Sequence, residues 1–141
     1  MTNKKRNPFK LKDFHSVDPK HIARLEAVGV KTADQILKAG RTSPGRSDLA
    51  ARAGIPPEAI LELVKLSDLS RLPGVKGIRA RLYYAAGVDT VEKLAGYEPD
   101  ELLRLTSEYV HCTGFPGIAP LPKEVSSTIL NARNLPKLVE W

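Results

Sequence analysis

One cysteine, one methionine, one tryptophan and 6% aromatic residues leave this 141-residue chain short of the groups that specialise many small proteins. The lone thiol, Cys112, forms no internal disulfide and fits a reducing, cytoplasmic setting. No stretch approaches the roughly 20 consecutive apolar residues of a transmembrane helix, so no membrane partner is expected. The N-terminus, MTNKKRNPFKLK, is basic but has no apolar stretch behind it, which excludes a secretory signal there. With 42% apolar residues and few rings, the core must be built from Leu, Ile, Val and Ala. That composition favours packed helices over stacked sheets, and no segment has a convincing strand pattern. Catalytic signals are missing too. There is no spaced acid pair in a glycine-rich setting and no nucleophile with a plausible histidine. His111-Cys112 are adjacent, so their side chains diverge, and no second cysteine completes a metal set. The expectation is a non-enzymatic protein with no metal and no other cofactor.

Charge is present but unevenly placed. The net charge is +6, yet Lys4, Lys5, Arg6, Lys10 and Lys12 supply +5 of it within residues 1–12, where there is no acid. The remaining 129 residues carry 17 basic and 16 acidic side chains and are almost neutral. Attraction to a polyanion must then come from the N-terminal arm or from a local patch.

What the chain does have is a repeat. Val17-Asp18-Pro19-Lys20 followed by Ala27-Val28-Gly29-Val30-Lys31-Thr32 recurs 58 positions later as Val75-Lys76-Gly77-Ile78 and Ala85-Ala86-Gly87-Val88-Asp89-Thr90. Each copy reads as a tight turn, a helix, a glycine stop and a second helix. Such a duplicated unit can pack on its twin around one core. Asp18-Pro19 starts the first helix, with Ile22, Leu25 and Val28 on one side, and Thr32 with Gln35 forms a capping box for the next. Arg41–Ser47 reads as a loop, Asp48–Ala53 as a small helix, and Pro57 opens a strongly apolar helix through Leu66. The second unit spans about Gly77–Ala86 and Thr90–Ala95. Pro99 then opens a helix reaching His111 or Cys112. A loop over 113–122, a helix over Lys123–Arg133 and a turn or short helix at Pro136–Trp141 complete the chain. The domain plan is a basic flexible arm (1–16), a duplicated unit (17–95) and a C-terminal helical extension (96–141).

The stretch Leu69-Ser70-Arg71-Leu72-Pro73-Gly74-Val75-Lys76-Gly77-Ile78-Arg79-Ala80-Arg81-Leu82 resembles the helix-hairpin-helix motif, with Leu72, Pro73, Gly74, Val75 and Ala80 in the family's places. Lys76 stands at the motif's second glycine, with Gly77 one place late. In the first copy Val17 matches and Asp18 replaces that glycine. The resemblance implies an all-α fold holding two pseudo-symmetric helix-hairpin-helix units plus C-terminal helices. It also implies contact with the DNA or RNA backbone that does not read sequence. The whole chain further resembles a bacterial family known only as a domain of unknown function, which carries a fold expectation and no activity. Pro116-Gly117-Ile118 echoes Pro73-Gly74-Val75, so a third, degenerate hairpin is a candidate.

A Pro-Gly turn leading into a helix leaves backbone N–H groups unpaired at the positive end of the helix dipole, where one phosphate can sit. The candidate cradle is Gly74, Val75, Lys76 and Gly77, flanked by Arg71, Arg79 and Arg81, with Lys4, Lys5 and Arg6 of the arm adding charge. From Leu69 to Val88 the sequence holds four basic residues, Arg71, Lys76, Arg79 and Arg81, and no acid. The competing reading is a helix–helix corner with solvated cations. Asp18 has the wrong sign for phosphate, so at most one hairpin is competent. Gly40-Arg41-Thr42-Ser43-Pro44-Gly45-Arg46-Ser47 mimics a nucleotide-binding loop but lacks the preceding strand and the lysine that mechanism needs. An alternative of another class is a protein-interaction or scaffold module using the apolar, Pro/Gly-rich segment Phe115–Leu121.

Overall fold

The computed structural model describes residues 9–141, in which eight α-helices follow a single 3-10 turn at Leu11–Asp13. They are α1 (Pro19–Ala27), α2 (Ala33–Ala39), α3 (Ser43–Ala53), α4 (Pro57–Leu69), α5 (Gly77–Ala85), α6 (Val91–Ala95), α7 (Pro99–Thr113) and α8 (Pro122–Asn134). The fold is all-α; among the described residues the only β-type pairing is an isolated bridge between Lys10 and Thr32. Among the described residues, no helix is long and apolar enough to cross a membrane.

Local chemistry sets these boundaries. Asp18 caps α1 by accepting from the Lys20 amide, and Thr32 and Gln35 close the capping box of α2. Thr90 caps α6 in the same way, accepting from the Lys93 amide. Proline opens α1, α4, α7 and α8, where its missing N–H costs nothing. After α1 and α5 the chain reverses through Gly29 and Gly87, at φ +88° and +97°, a region that disfavours any residue with a Cβ. In both copies the following valine donates back into the helix, Val30 to Leu25 and Val88 to Tyr83.

The order α1–α4 recurs as α5–α8, with helices of 9, 7, 11 and 13 residues answered by 9, 5, 15 and 13. In the first half α2 and α3 pack on α4; in the second, α6 and α7 pack on α8. Residues 96–141 thus complete the second set of four. Helix α4 also packs on α5 and is the centre of the core, with Ile60, Leu63, Val64, Leu66 and Leu69 fully buried.

Several expectations change. Helix α3 begins at Ser43, inside the expected loop, because Thr42 caps it and Pro44 sits in its first turn. The nucleotide-loop mimic is therefore a helix start. Residues 9–14, assigned to the flexible arm, are folded in: Leu11 and Phe14 are buried, Leu11 donates to Lys31 and Ala33 donates to Phe9. Lys4, Lys5 and Arg6 lie outside the described residues. Pro116-Gly117-Ile118 does not repeat the second hairpin. Gly74 has φ +80° and Val75 is buried, whereas Gly117 is not among the positive-φ glycines and Ile118 is 82% exposed. Residues 135–141 form no helix. They run without regular secondary structure, with Val139 in the core, Glu140 donating to the Arg41 carbonyl, and the Trp141 indole donating to Glu92.

Candidate nucleic-acid interface

Between the 3-10 turn, α2, the end of α4, the α4–α5 turn and the C-terminal strap lies a cleft of about 960 Å³. Lys10, Lys12, Lys38, Arg41, Arg71 and Lys76 line it, against two acids, Asp13 and Asp34. Local order explains the convergence. Lys10 and Lys12 flank buried Leu11, and the bridge to Thr32 and the Leu11–Lys31 bond hold this segment beside the start of α2. Lys38 in the last turn of α2 and Arg41 just past its Gly40 cap both line the cleft. Lys76 is exposed just before α5. Among the described residues, Lys10, Lys12, Lys38, Arg41 and Lys76 form neither a side-chain hydrogen bond nor an ion pair. Five cations with no acidic partner raise the local potential and favour an anion.

The expected cradle is redistributed. Arg71 donates to the Asp68 carboxylate at 2.6 Å and to the Pro136 carbonyl at 2.6 Å, so it anchors the strap while lining the cleft. Burial pushes the Asp68 carboxyl above its ordinary range even though Arg71 pulls it down. Arg79 is held by Glu124 at 2.8 Å and by the Ile118 carbonyl at 2.6 Å. Arg81 is buried, donating to Glu62 at 2.6 Å and to the His15 carbonyl at 2.7 Å, over the Tyr84 ring. Arg79 and Arg81 tie α5 to α8, α4 and the N-terminal segment; they do not ring a phosphate seat. Val75 is in the core. Gly74 is exposed with open space around its Cα. Gly77 is buried, and a Cβ there would strike the Asp13 carbonyl and approach the Phe9 ring. Its small size makes room for the protein's own backbone at the mouth of α5. Among the described residues of the expected site, Lys76 alone is an unengaged cation, and it lines the cleft.

Residues 15–135 match a protein-family description, Domain of unknown function (DUF4332). The chain belongs to the DUF4332 family. No curated protein and no solved structure matches it. The DUF4332 segment contains both four-helix sets, but Phe9, Lys10 and Lys12 on one side of the cleft precede it, and Leu138 on the other side follows it.

Sequence reasoning missed Lys38 and Arg41 of the DUF4332 segment, and it counted Lys10 and Lys12 only as part of an arm. A signal for the latter existed: Phe9-Lys10-Leu11-Lys12 alternates apolar and basic residues, as a segment buried on one side does. Nothing in the sequence could reveal that Arg79 and Glu124, 45 residues apart, are partners.

Proposed function

We propose that this DUF4332 chain is a small non-enzymatic binding module that contacts the phosphate backbone of nucleic acid without reading sequence. The cleft is its contact surface, and the α4–α5 turn, read as a helix-hairpin-helix, forms one wall. The observation that carries this reading is the convergence of five unpaired cations on one concavity in a body that is otherwise nearly neutral. The paired stops at Gly29 and Gly87 and the paired caps at Thr32 and Thr90 support a tandem arrangement of two such units. Phosphate contacts fix position and leave base sequence unread.

Each phosphate neutralised releases condensed counterions, so log K should fall with log salt. Five contacts give a slope of roughly −3.5 on a single strand and −4.5 on a duplex. Titrating labelled oligonucleotides at several salt concentrations measures it. Lys38→Glu combined with Lys76→Glu should abolish binding while leaving the helical spectrum intact. No binding by the unaltered chain at low salt would refute the reading.

A second reading, a protein-interaction module, is favoured by one specific observation. Ile118 is 82% and Leu121 69% exposed beside half-buried Phe115, which rests edge-on against Tyr109. Ile118→Ser with Leu121→Ser should eliminate specific co-purifying proteins if that surface is used; unchanged co-purification argues against it.

A further inference from the structure

We propose that the cleft takes an unpaired nucleic-acid strand in preference to a duplex, seating a phosphate among the lysines and a base against the apolar interior. The inference rests on the proposed nucleic-acid reading and narrows its ligand class.

Two features of the cleft favour it. The surface is concave, and its volume of about 960 Å³ lies at the upper end of ligand-sized pockets, roughly 300–1,000 Å³. Its lining is chemically divided. Exposed cations (Lys10, Lys12, Lys38, Arg41 and Lys76) accompany Phe9, Leu37, Leu135 and Leu138, which are buried, half-buried or just exposed. A duplex offers phosphates on a convex surface and keeps its bases stacked inward, so it would engage the cations and leave the apolar residues idle. A single strand can turn a base out onto an aromatic platform while its backbone follows a basic channel. Phe9 suits that platform: its ring is braced by Phe14 with centroids 4.8 Å apart, so little side-chain freedom remains to be lost on stacking.

Fluorescence anisotropy with a labelled oligothymidylate, a mixed-sequence duplex of equal length and thymidine monophosphate as competitor separates the outcomes. The single strand should bind about tenfold or more tighter than the duplex at the same salt. Phe9→Leu, which keeps bulk but loses the ring face, should weaken the strand about fivefold and leave the duplex unchanged. Leu138→Ser, on the exposed strap, should act in the same direction without threatening the core. A duplex that binds as well as the strand overturns this inference and leaves the backbone reading standing. Absence of binding by either removes both. Competition by the mononucleotide as effective as by the strand reassigns the cleft to a free nucleotide and overturns strand binding. Strand preference untouched by both variants overturns the placement of the base.

Discussion

The two four-helix sets share the Thr32 and Thr90 caps, the Gly29 and Gly87 stops and the order of their helices, yet they differ in what surrounds them. Helix α4 is covered along most of its length, whereas α8, its counterpart, buries only Val125, Thr128, Ile129 and Ala132 and leaves Leu130 exposed. At the turns the contrast is sharper. Where the first copy has Asp18-Pro19, the second has Lys76-Gly77. Asp18 caps its own helix and Pro19 occupies the first helical position. Lys76 makes no cap, and Gly77 admits the Asp13 carbonyl. The turn into α1 caps its own helix, whereas the turn into α5 has no side-chain cap and lies against the 3-10 segment beside the cleft.

The largest effect that tests this asymmetry is in the cores. Leu63, at the centre of α4, is fully buried, so Leu63→Ala should cost about 3 kcal/mol through lost burial and a residual cavity. Leu130→Ala on α8 should change stability by less than about 0.5 kcal/mol, because that side chain is already mostly in water. Urea unfolding of both variants gives the comparison. Similar losses would mean that α8 is as central as α4.

Much of this architecture was legible in local chemistry. Thr32, Thr90, Pro57, Pro99, Gly29 and Gly87 act over one helical turn, and their caps and stops stand where spacing placed them. The first turn of α3 was not legible, since Pro44 and Gly45 carry the same letters in a loop as in a helix start. Gly45 is required there because the Ala39 carbonyl leaves no room for a Cβ. The site was less legible still. Its wall is assembled from residues 9–13, 33–41, 67–76 and 135–138, and no single segment is basic enough to announce it. Arg79 and Arg81 were the strongest local signal and are occupied elsewhere, because partners 45 and 19 residues distant are visible only once the chain is folded.

The turns supply the next test. Gly77→Ala should cost about 2 kcal/mol, since the new methyl meets backbone at Asp13 and the 3-10 segment must move. The equivalent change in the first copy, Pro19→Ala, should cost less than about 1 kcal/mol, chiefly through added freedom in the unfolded chain. Gly77→Ala should also raise amide exchange at Leu11 and Phe14, the residues that hold the segment down, whereas Pro19→Ala should leave them protected. Equal costs would show that the closure over the second turn contributes little.

The smallest expected effect separates the copies by acid. Position 31 in the first copy is lysine, and Gln35 completes a neutral capping box there; the second copy has Asp89 and Lys93 in those places. Burial pushes the Asp89 carboxyl up, but hydrogen bonds from Lys65 at 2.6 Å and Lys93 at 2.8 Å outweigh it and hold the group below its ordinary value. The unfolded chain, with an aspartate near 3.9, roughly the ordinary value, therefore takes up its proton first as pH falls. The stabilisation from Asp89 is present above that value and is lost as pH drops through the lower folded one. Because Lys93 is largely solvated, the contribution at neutral pH should be under about 1 kcal/mol. Asp89→Asn should lower the urea midpoint at pH 7, and the deficit should shrink toward zero in acid. Gln35→Ala in the first copy should carry a deficit that stays level over the same range, because no titrating group is lost. An Asp89→Asn deficit that stayed level as well would mean the carboxylate's charge is not what joins α4 to α6, and that the two copies are fastened by the same neutral bonds.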